Sequence, residues 1–564
     1  MVILRNTRTR TATGLAAAAA LLLAACAGGG DGGDSGGGDS GQVLNVWAGA
    51  ATPLQPNFNP YSPGVQHGAL GPVYEPLFYY NPYQAEEPTP MLGTDFAWND
   101  DGTQLSVTLR EGVTWNDGEP LTAEDVVYSF MNEVSKSEWL VDVQPEGDHE
   151  VVLSFDGPQF AQEYALLGAT FIVPVHIWGE MSLDEQTTAN NEQPVGTGPY
   201  LVKSTSDAAY QLEANPDYWQ EGKPAVTNVR YLGIDGNASS QDLLASGRID
   251  WTTMFVPDPE AIASGGGVQG YMNTPTDPVA LLTCSNAELG CTGPQTDVAV
   301  RQAIDLAIDR EAIAERAFVG VAAPISPTFA LVDRDAQWIA PGQEGLSSQP
   351  AEVDAATEVL EAAGYVRGSD GIYAKDGQRI ELTLTSPDGW TDFNDAAKLI
   401  EEQAKAAGMA ITASTVTWQE WEDSRRSGNY ELIMAGITGS ATGDPFTTYR
   451  NYFTTERTEA AGTALSSGQM NFARYSDPEV DAAVAAAATT NDADQKLAQY
   501  AVIQDRIATD LPYIPLVING TQTFYNSTDF TGWPTEGDMY AQPPAWQSIA
   551  AGVVLANLQP VSEG

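Results

Sequence analysis

The chain has 564 residues with 75 acidic and 25 basic side chains, a formal charge of −50, and 43% hydrophobic residues that include 13 Trp, 22 Tyr and 16 Phe. This supply of apolar and aromatic residues excludes intrinsic disorder and, at roughly 150 residues per domain, points to three or four folding units. The carboxylate excess would repel phosphate backbones and anionic lipid heads, which argues against a nucleic-acid binder or a polybasic peripheral membrane protein.

In chain order, Arg5, Arg8 and Arg10 followed by the Ala- and Leu-rich run from Leu15 to Leu23 read as an export signal over residues 1–25. A transmembrane anchor needs about 20 apolar residues, and this run stops at the glycines after Ala27. Leu23-Ala24-Ala25-Cys26 resembles the bacterial lipobox, in which the Cys is acylated and becomes the first mature residue. Cys26 is then the lipid anchor of an extracytoplasmic protein, periplasmic or cell-surface, held at the cell membrane. Residues 26–41 continue as a Gly/Asp/Ser coil, a flexible tether with a reach of roughly 20 Å. In that oxidising location Cys284 and Cys291 invite pairing, worth about 2 to 3 kcal/mol by loop entropy, with two free buried thiols as the alternative.

The folded body starts with a strand at Leu44 to Trp47 and a Pro/Asn-rich loop carrying Phe58 and Tyr61. Leu105, Val107 and Leu109 alternate as one face of a strand, Asn116-Asp117-Gly118 supply a turn, and Thr122 with Asp125 opens a helix in a box-like arrangement. Strands follow around Val151, Tyr210 and Val229, and Gly247 stops a helix before Ile249-Asp250-Trp251. From Asp297 an amphipathic helix pair begins. Helices at 351–364, 395–407 and 418–427 alternate with strands at 380–385, 411–416 and 430–435, so residues of about 280–510 read as a separate α/β domain. A helix at 495–508 and a strand at 514–518 precede an aromatic tail.

No G-x-S-x-G elbow, P-loop, HExxH or CxxC occurs, and His67, His149, His176 and the three Cys show no zinc-site spacing, so no metal and no cofactor is expected. His176, between apolar residues, reads as a hydrogen-bonded structural side chain. What stands out is aromatic supply at strand ends and loop starts: Trp47, Trp390, Trp418, Trp421, Trp533 and Trp546. Rigid aromatic faces bind sugars, peptide side chains or cations at low entropic cost, although core packing accounts for many such residues.

Tyr74-Glu75-Pro76-Leu77-Phe78, the DGTxLxVxLRxGVxWxDGxPLTAEDVVYSF run of residues 101–130, the GTGPY of residues 196–200, SGRIDW before Thr252, and VRQAIDLAIDR from Val300 together resemble the family 5 extracellular solute-binding proteins. That family includes the oligopeptide- and dipeptide-binding components of ABC importers. The resemblance implies an α/β, two-lobed periplasmic-binding-protein-like fold of type II with an extra inserted domain and the ligand cleft between lobes. Lobe one would comprise residues 42–78, 195–276 and 516–564, the inserted domain 79–194, and lobe two 277–515. It further implies a monomer that encloses a short peptide or an uncharged oligomer such as an oligosaccharide by hinge closure. The closed form would dock on membrane permease subunits with cytoplasmic ATPases. Candidate ligand-binding residues are Trp47, Asn57, Phe58, Asn59, Trp390, Trp418, Gly436, Ile437, Thr438 and Ser440. One departure matters: the carboxylate that pairs with a peptide's α-amino group in peptide-binding members falls here on Ser440 or Ala441, and Asp444 matches a later acid of the loop. Without that charge a desolvated ammonium would lack its partner. A secreted hydrolase is the rival reading from another class.

Overall fold

The computed structural model describes residues 42–561, apart from Pro63, Ala85, Glu86, Glu138, Asp235, Pro257, residues 265–269, Asp333, residues 348–349 and residues 467–468. The signal, the Cys26 anchor and the tether lie outside the described residues. Ten strands of the described chain form one mixed sheet. Its order is Ala410–Val416, Glu381–Pro387, Leu432–Gly436, Gly270–Thr283, Tyr513–Tyr525, Trp251–Thr253, Val43–Trp47, Asn228–Leu232, Ala209–Ala214 and Tyr200–Thr205. The two long strands in the middle, Gly270–Thr283 and Tyr513–Tyr525, are antiparallel partners and run from one lobe into the other. The region read as a separate α/β domain therefore shares its sheet with lobe one, and boundaries at 276/277 and 515/516 fall inside these strands.

Strand alternation sends successive side chains to opposite faces, and each face of the lobe-two half is buried. Leu281, Met434, Leu384 and Leu516 pack under the helices Val298–Ala307 and Thr391–Ala406. Ala280, Leu282, Ile433 and Tyr513 pack under Phe446–Phe453, Pro478–Ala488 and Ala493–Asp510. Local chemistry sets the helix ends. Asp297 and Asp309 accept from the amides of Ala299 and Ala312 to start the two helices of the predicted pair. Thr417 and Glu420 form a capping box, and Gly428 closes that helix at φ 72°. The helix predicted at 395–407 starts earlier, at Thr391, with Trp390 as its cap residue. Cys284 and Cys291 are bonded, with Cα atoms 5.4 Å apart.

The inserted segment folds on its own four-stranded sheet, Gly93–Trp98, Gln104–Leu109, Glu150–Phe155 and Leu140–Pro145. Leu105, Val107, Leu109, Val151 and Leu153 form its core with Trp115 and Phe130. Thr122 and Asp125 make the capping box of the helix Ala123–Met131. No helix among the described residues is long and apolar enough to cross a membrane.

Candidate functional site

The strand Leu432–Gly436 ends in the sheet beside Gly270–Thr283, and the chain then leaves the sheet as the segment 437–445. Hydrogen bonds hold that segment in place. The Ile437 amide donates to the Pro278 carbonyl (2.8 Å) and the Thr438 amide to the Tyr452 hydroxyl (2.8 Å). The Ser440 carbonyl accepts from Arg334 Nη1 (2.9 Å), and the Ser440 hydroxyl shares a hydrogen bond with Thr442. Asp444 takes Lys496 Nζ at 2.8 Å and the Tyr500 hydroxyl at 2.5 Å. The segment walls a cavity of about 500 Å³. Trp390, Phe393 and Trp421 form an aromatic side of this cavity, the crossing strands supply Asp277 and Asn519, and Tyr164 of the inserted domain covers it.

Trp390 packs against Trp421 at 5.6 Å and Phe393 at 5.2 Å while remaining 40% exposed, so part of its face is free. Trp421 is fixed by its Nε1 donating to the Met434 carbonyl (3.1 Å), and Arg425 lies 4.6 Å over its ring. Arg334 is committed to Asp335 (Nη2 to Oδ2, 2.9 Å) and to the carbonyls of Pro82 and Ser440. Asp277 is exposed toward the cavity yet has protein close on its other sides; this partial desolvation pushes its carboxyl up, and the Thr521 hydroxyl partly offsets it. A smaller cavity of about 240 Å³ shares Tyr164 and Ala441 with the first and lies between Tyr80, Phe160 and Glu163 of the inserted segment and Trp338, Phe446 and Lys496 of lobe two.

Of the predicted site residues, Gly436, Ile437, Thr438, Ser440 and Trp390 line the larger cavity. Trp418, 52% exposed at the start of the helix Trp418–Ser427, is not among its walls. Four other candidates are not among the walls of this cavity. Trp47 is 4% exposed in a core with Leu244 and Phe524, its Nε1 donating to the Ala50 carbonyl, because its strand lies inside the sheet. Phe58 is wholly buried edge-on to Tyr210 (5.3 Å). Asn59 is buried and donates to the carbonyls of Gln186 and Ala189, each at 2.8 Å. Asn57 accepts from the Asn59 amide and donates to the Ser62 hydroxyl. The loop's Asn side chains thus hydrogen-bond within the protein, Asn57 inside its own loop and Asn59 to the carbonyls of the 186–189 segment. Asp277, Asn519 and Phe393 were passed over. The acid in Thr276-Asp277-Pro278, leading straight into an apolar strand, was the one available signal. His176 donates or accepts at 2.8 Å with Asp117 on the surface, away from the cleft. Among the described residues no cluster of three or more His, Cys, Asp or Glu could hold a metal ion.

Comparison with known proteins follows the same outline. A family model described as bacterial extracellular solute-binding proteins, family 5 Middle, matches residues 87–460. Protein XP55 of Streptomyces lividans is 31% identical over 425 residues, which cover 73% of each chain. The oligopeptide-binding protein AppA of Bacillus subtilis is 27% identical over 436 residues, 73% of this chain and 75% of that one. Among solved structures, the periplasmic oligopeptide-binding protein of Thermotoga maritima superposes with a TM-score of 0.83 at 25% identity, covering 93% of this chain and all of that one. The same protein with mannohexaose bound gives 0.75 at 25% identity, covering 93% and 99%. The family match reaches from the inserted segment to residue 460, part-way into lobe two, and the two-lobed body encloses a cleft beside its long central strands. The chain belongs to the bacterial extracellular solute-binding proteins of family 5, the binding components of ABC importers.

Proposed function

We propose that the protein captures a short peptide, or an oligosaccharide of similar size, between its lobes and hands it to the permease subunits of an ABC importer while tethered to the membrane through an acylated Cys26. The observation that carries this reading is the cavity of about 500 Å³ at the lobe seam, with an aromatic side at Trp390, Phe393 and Trp421 and a backbone side at residues 436–441. Ligand touching both sides favours the closed lobes by its differential contacts alone. AppA and the Thermotoga maritima protein are named for oligopeptides, which supports the peptide reading.

The oligosaccharide reading draws on two observations. The lobe-two loop has neutral Ser440 and Ala441 where a carboxylate would meet an α-amino group, and the Thermotoga maritima protein has been solved with mannohexaose. A half-free Trp390 face suits a pyranose ring as well as a peptide side chain. Purified protein lacking residues 1–25 should melt at a higher temperature with one or more members of a panel of di- to pentapeptides and manno-oligosaccharides, by mass action on the folded state. Cleavage of a panel member with no accompanying shift would support the hydrolase instead.

A further inference from the structure

The smaller cavity adjoins the solute cavity at one place. The two share Tyr164 of the inserted segment and Ala441 of lobe two, so they meet between that ring and that methyl group. Each body brings rings to the smaller cavity: Tyr80 and Phe160 come from the inserted segment and Trp338 from lobe two, all half-buried. Gln337 and Asn491 stand exposed on its wall, and among the described residues neither side-chain amide has a hydrogen-bond partner. The smaller cavity measures about 240 Å³ and its neighbour about 500 Å³. A path through both stays within the range of roughly 300–1,000 Å³ typical of small-molecule sites.

The cations along this path are each held by an acid. Lys496 holds Asp444 at 2.8 Å, Arg334 holds Asp335 at 2.9 Å and Arg425 holds Glu422 at 2.6 Å. Glu163 accepts from the Tyr80 hydroxyl (3.0 Å) and from Trp98 Nε1 (3.1 Å), and Glu87 is exposed on the rim. Ser440 and Ala441 add no charge where the cavities meet, and the single methyl of Ala441 leaves room there. A ligand carboxylate would therefore find no uncommitted cation and would face these acids. Half-buried rings beside free amides suit a neutral unit with an apolar face and a hydroxyl edge, which is a pyranose. We propose that the smaller cavity is a second sugar subsite, and that a neutral oligosaccharide runs from Trp390 past Ala441 into it. Because the walls of that subsite come from the inserted segment and from lobe two, a chain long enough to fill it adds contacts that exist only when the two stand together. Closure is then favoured more by a long oligomer than by a short one.

This inference rests on the cleft being the solute site, and the test separates the two. Calorimetric affinities would be measured on the protein lacking residues 1–25, for manno- and cello-oligosaccharides of two, four and six units and for alanine tri- to pentapeptides. In at least one sugar series the six-unit oligomer should bind about 10-fold or more tightly than the two-unit one. Ala441→Leu narrows the junction and should bring that ratio close to one. Gln337→Ala, at an exposed position that lines the smaller cavity alone, should lower the same ratio about 3-fold. Should Ala441→Leu fail to fold, the ratio in Gln337→Ala decides. A sugar series that binds with no gain in length overturns the inference, and so does a gain that neither variant changes; the proposed function then stands. Binding of the peptides with no binding of either sugar series likewise overturns the inference alone. No binding by any probe overturns both.

Discussion

Trp390 and Trp47 carry the same side chain into opposite situations. Trp390 is 40% exposed on the cavity wall, whereas Trp47 is 4% exposed and hydrogen-bonded in a core. Trp390→Ala should therefore weaken ligand binding by about 1 kcal/mol or more and leave the melting temperature nearly unchanged. Trp47→Ala should cost roughly 3 to 5 kcal/mol of stability and leave the affinity of the folded fraction alone. Thermal melts and titrations of both variants check this, and the reverse pattern would return Trp47 to the site. Glu75, in the motif Tyr74-Glu75-Pro76, is fully buried and accepts from the Tyr218 hydroxyl (2.9 Å), Trp219 Nε1 (3.1 Å) and the Thr197 hydroxyl (2.9 Å). Burial pushes its carboxyl up to about 7 from 4.5, against the pull of these donors and of Arg110. With the folded value raised, the fold favours the neutral acid. Its contribution is present in full below the unfolded value and is lost as pH rises from about 4.5 to 7, a change of roughly 3 kcal/mol. Glu75→Gln cannot titrate, so its stability should fall less than that of wild type between pH 5 and pH 8 in urea melts. An equally steep fall in both proteins would show that the three donors keep Glu75 ionised throughout.

The segment between the strand Leu432–Gly436 and the helix Phe446–Phe453 owes its shape to elements far away in sequence. Lys496, on the helix Ala493–Asp510, reaches Asp444 at 2.8 Å with its side chain only 9% exposed, and Asp444 in turn accepts from the Phe446 amide at 2.9 Å. Lys496→Ala would strand a partly buried carboxylate and should cost roughly 2 to 4 kcal/mol. It should also speed hydrogen exchange at the Phe446 amide, and pairing it with Asp444→Asn should recover much of the loss; an additive double variant would mean the two side chains do not act together. None of this was legible along the chain, because Asp444 and Lys496 are brought together only by the fold. Elements whose ends carry their own chemistry were legible: the helix Trp418–Ser427 has Thr417, Glu420 and Gly428 to mark both limits. The strand predicted at 514–518 runs on to Tyr525 because Asn519-Gly520-Thr521 breaks the apolar pattern that sequence reading follows. Gly520 is required there, since a Cβ would lie 2.4 Å from the Val321 carbonyl oxygen and against Asn273. Asn519, the first residue of the polar stretch that ended the predicted strand, lines the cavity, which is why it and its partner Asp277 were missed as a pair. The opposite error occurred at residues 57–59, where aromatic and Asn residues in a loop look like a binding surface until their hydrogen-bond partners are known.

At the scale of the whole molecule, a continuous sheet through both lobes leaves closure to bending of the two crossing strands, with the opposed faces held by few direct bonds. Arg334 of lobe two makes the clearest of these, its Nη1 donating to the Pro82 carbonyl at 2.8 Å while it also holds the Ser440 carbonyl at 2.9 Å. Tyr83 meets Thr276 on the crossing strand Gly270–Thr283 at 3.4 Å, and Ala161 of the inserted segment packs against the lobe-two core. The net charge of −50 sharpens the role of Arg334, because two strongly acidic bodies repel as they approach and a cation at the seam opposes that repulsion. A charged donor to a carbonyl contributes about 1.5 to 3 kcal/mol, and here that free energy belongs to the closed form alone. Arg334→Ala should therefore shift the unliganded protein toward the open form and weaken apparent affinity by about 10-fold or more, since only the closed fraction is competent to hold ligand on both sides. Small-angle scattering should show a larger radius of gyration for the unliganded variant, returning to the wild-type value at saturating ligand. Removing Arg334 also deprives buried Asp335 of its partner, so a drop in melting temperature is expected and does not discriminate. A variant with the wild-type radius and unchanged affinity would place the control of closure in the crossing strands themselves, and raising the salt concentration should then compact the unliganded wild type no less than the variant.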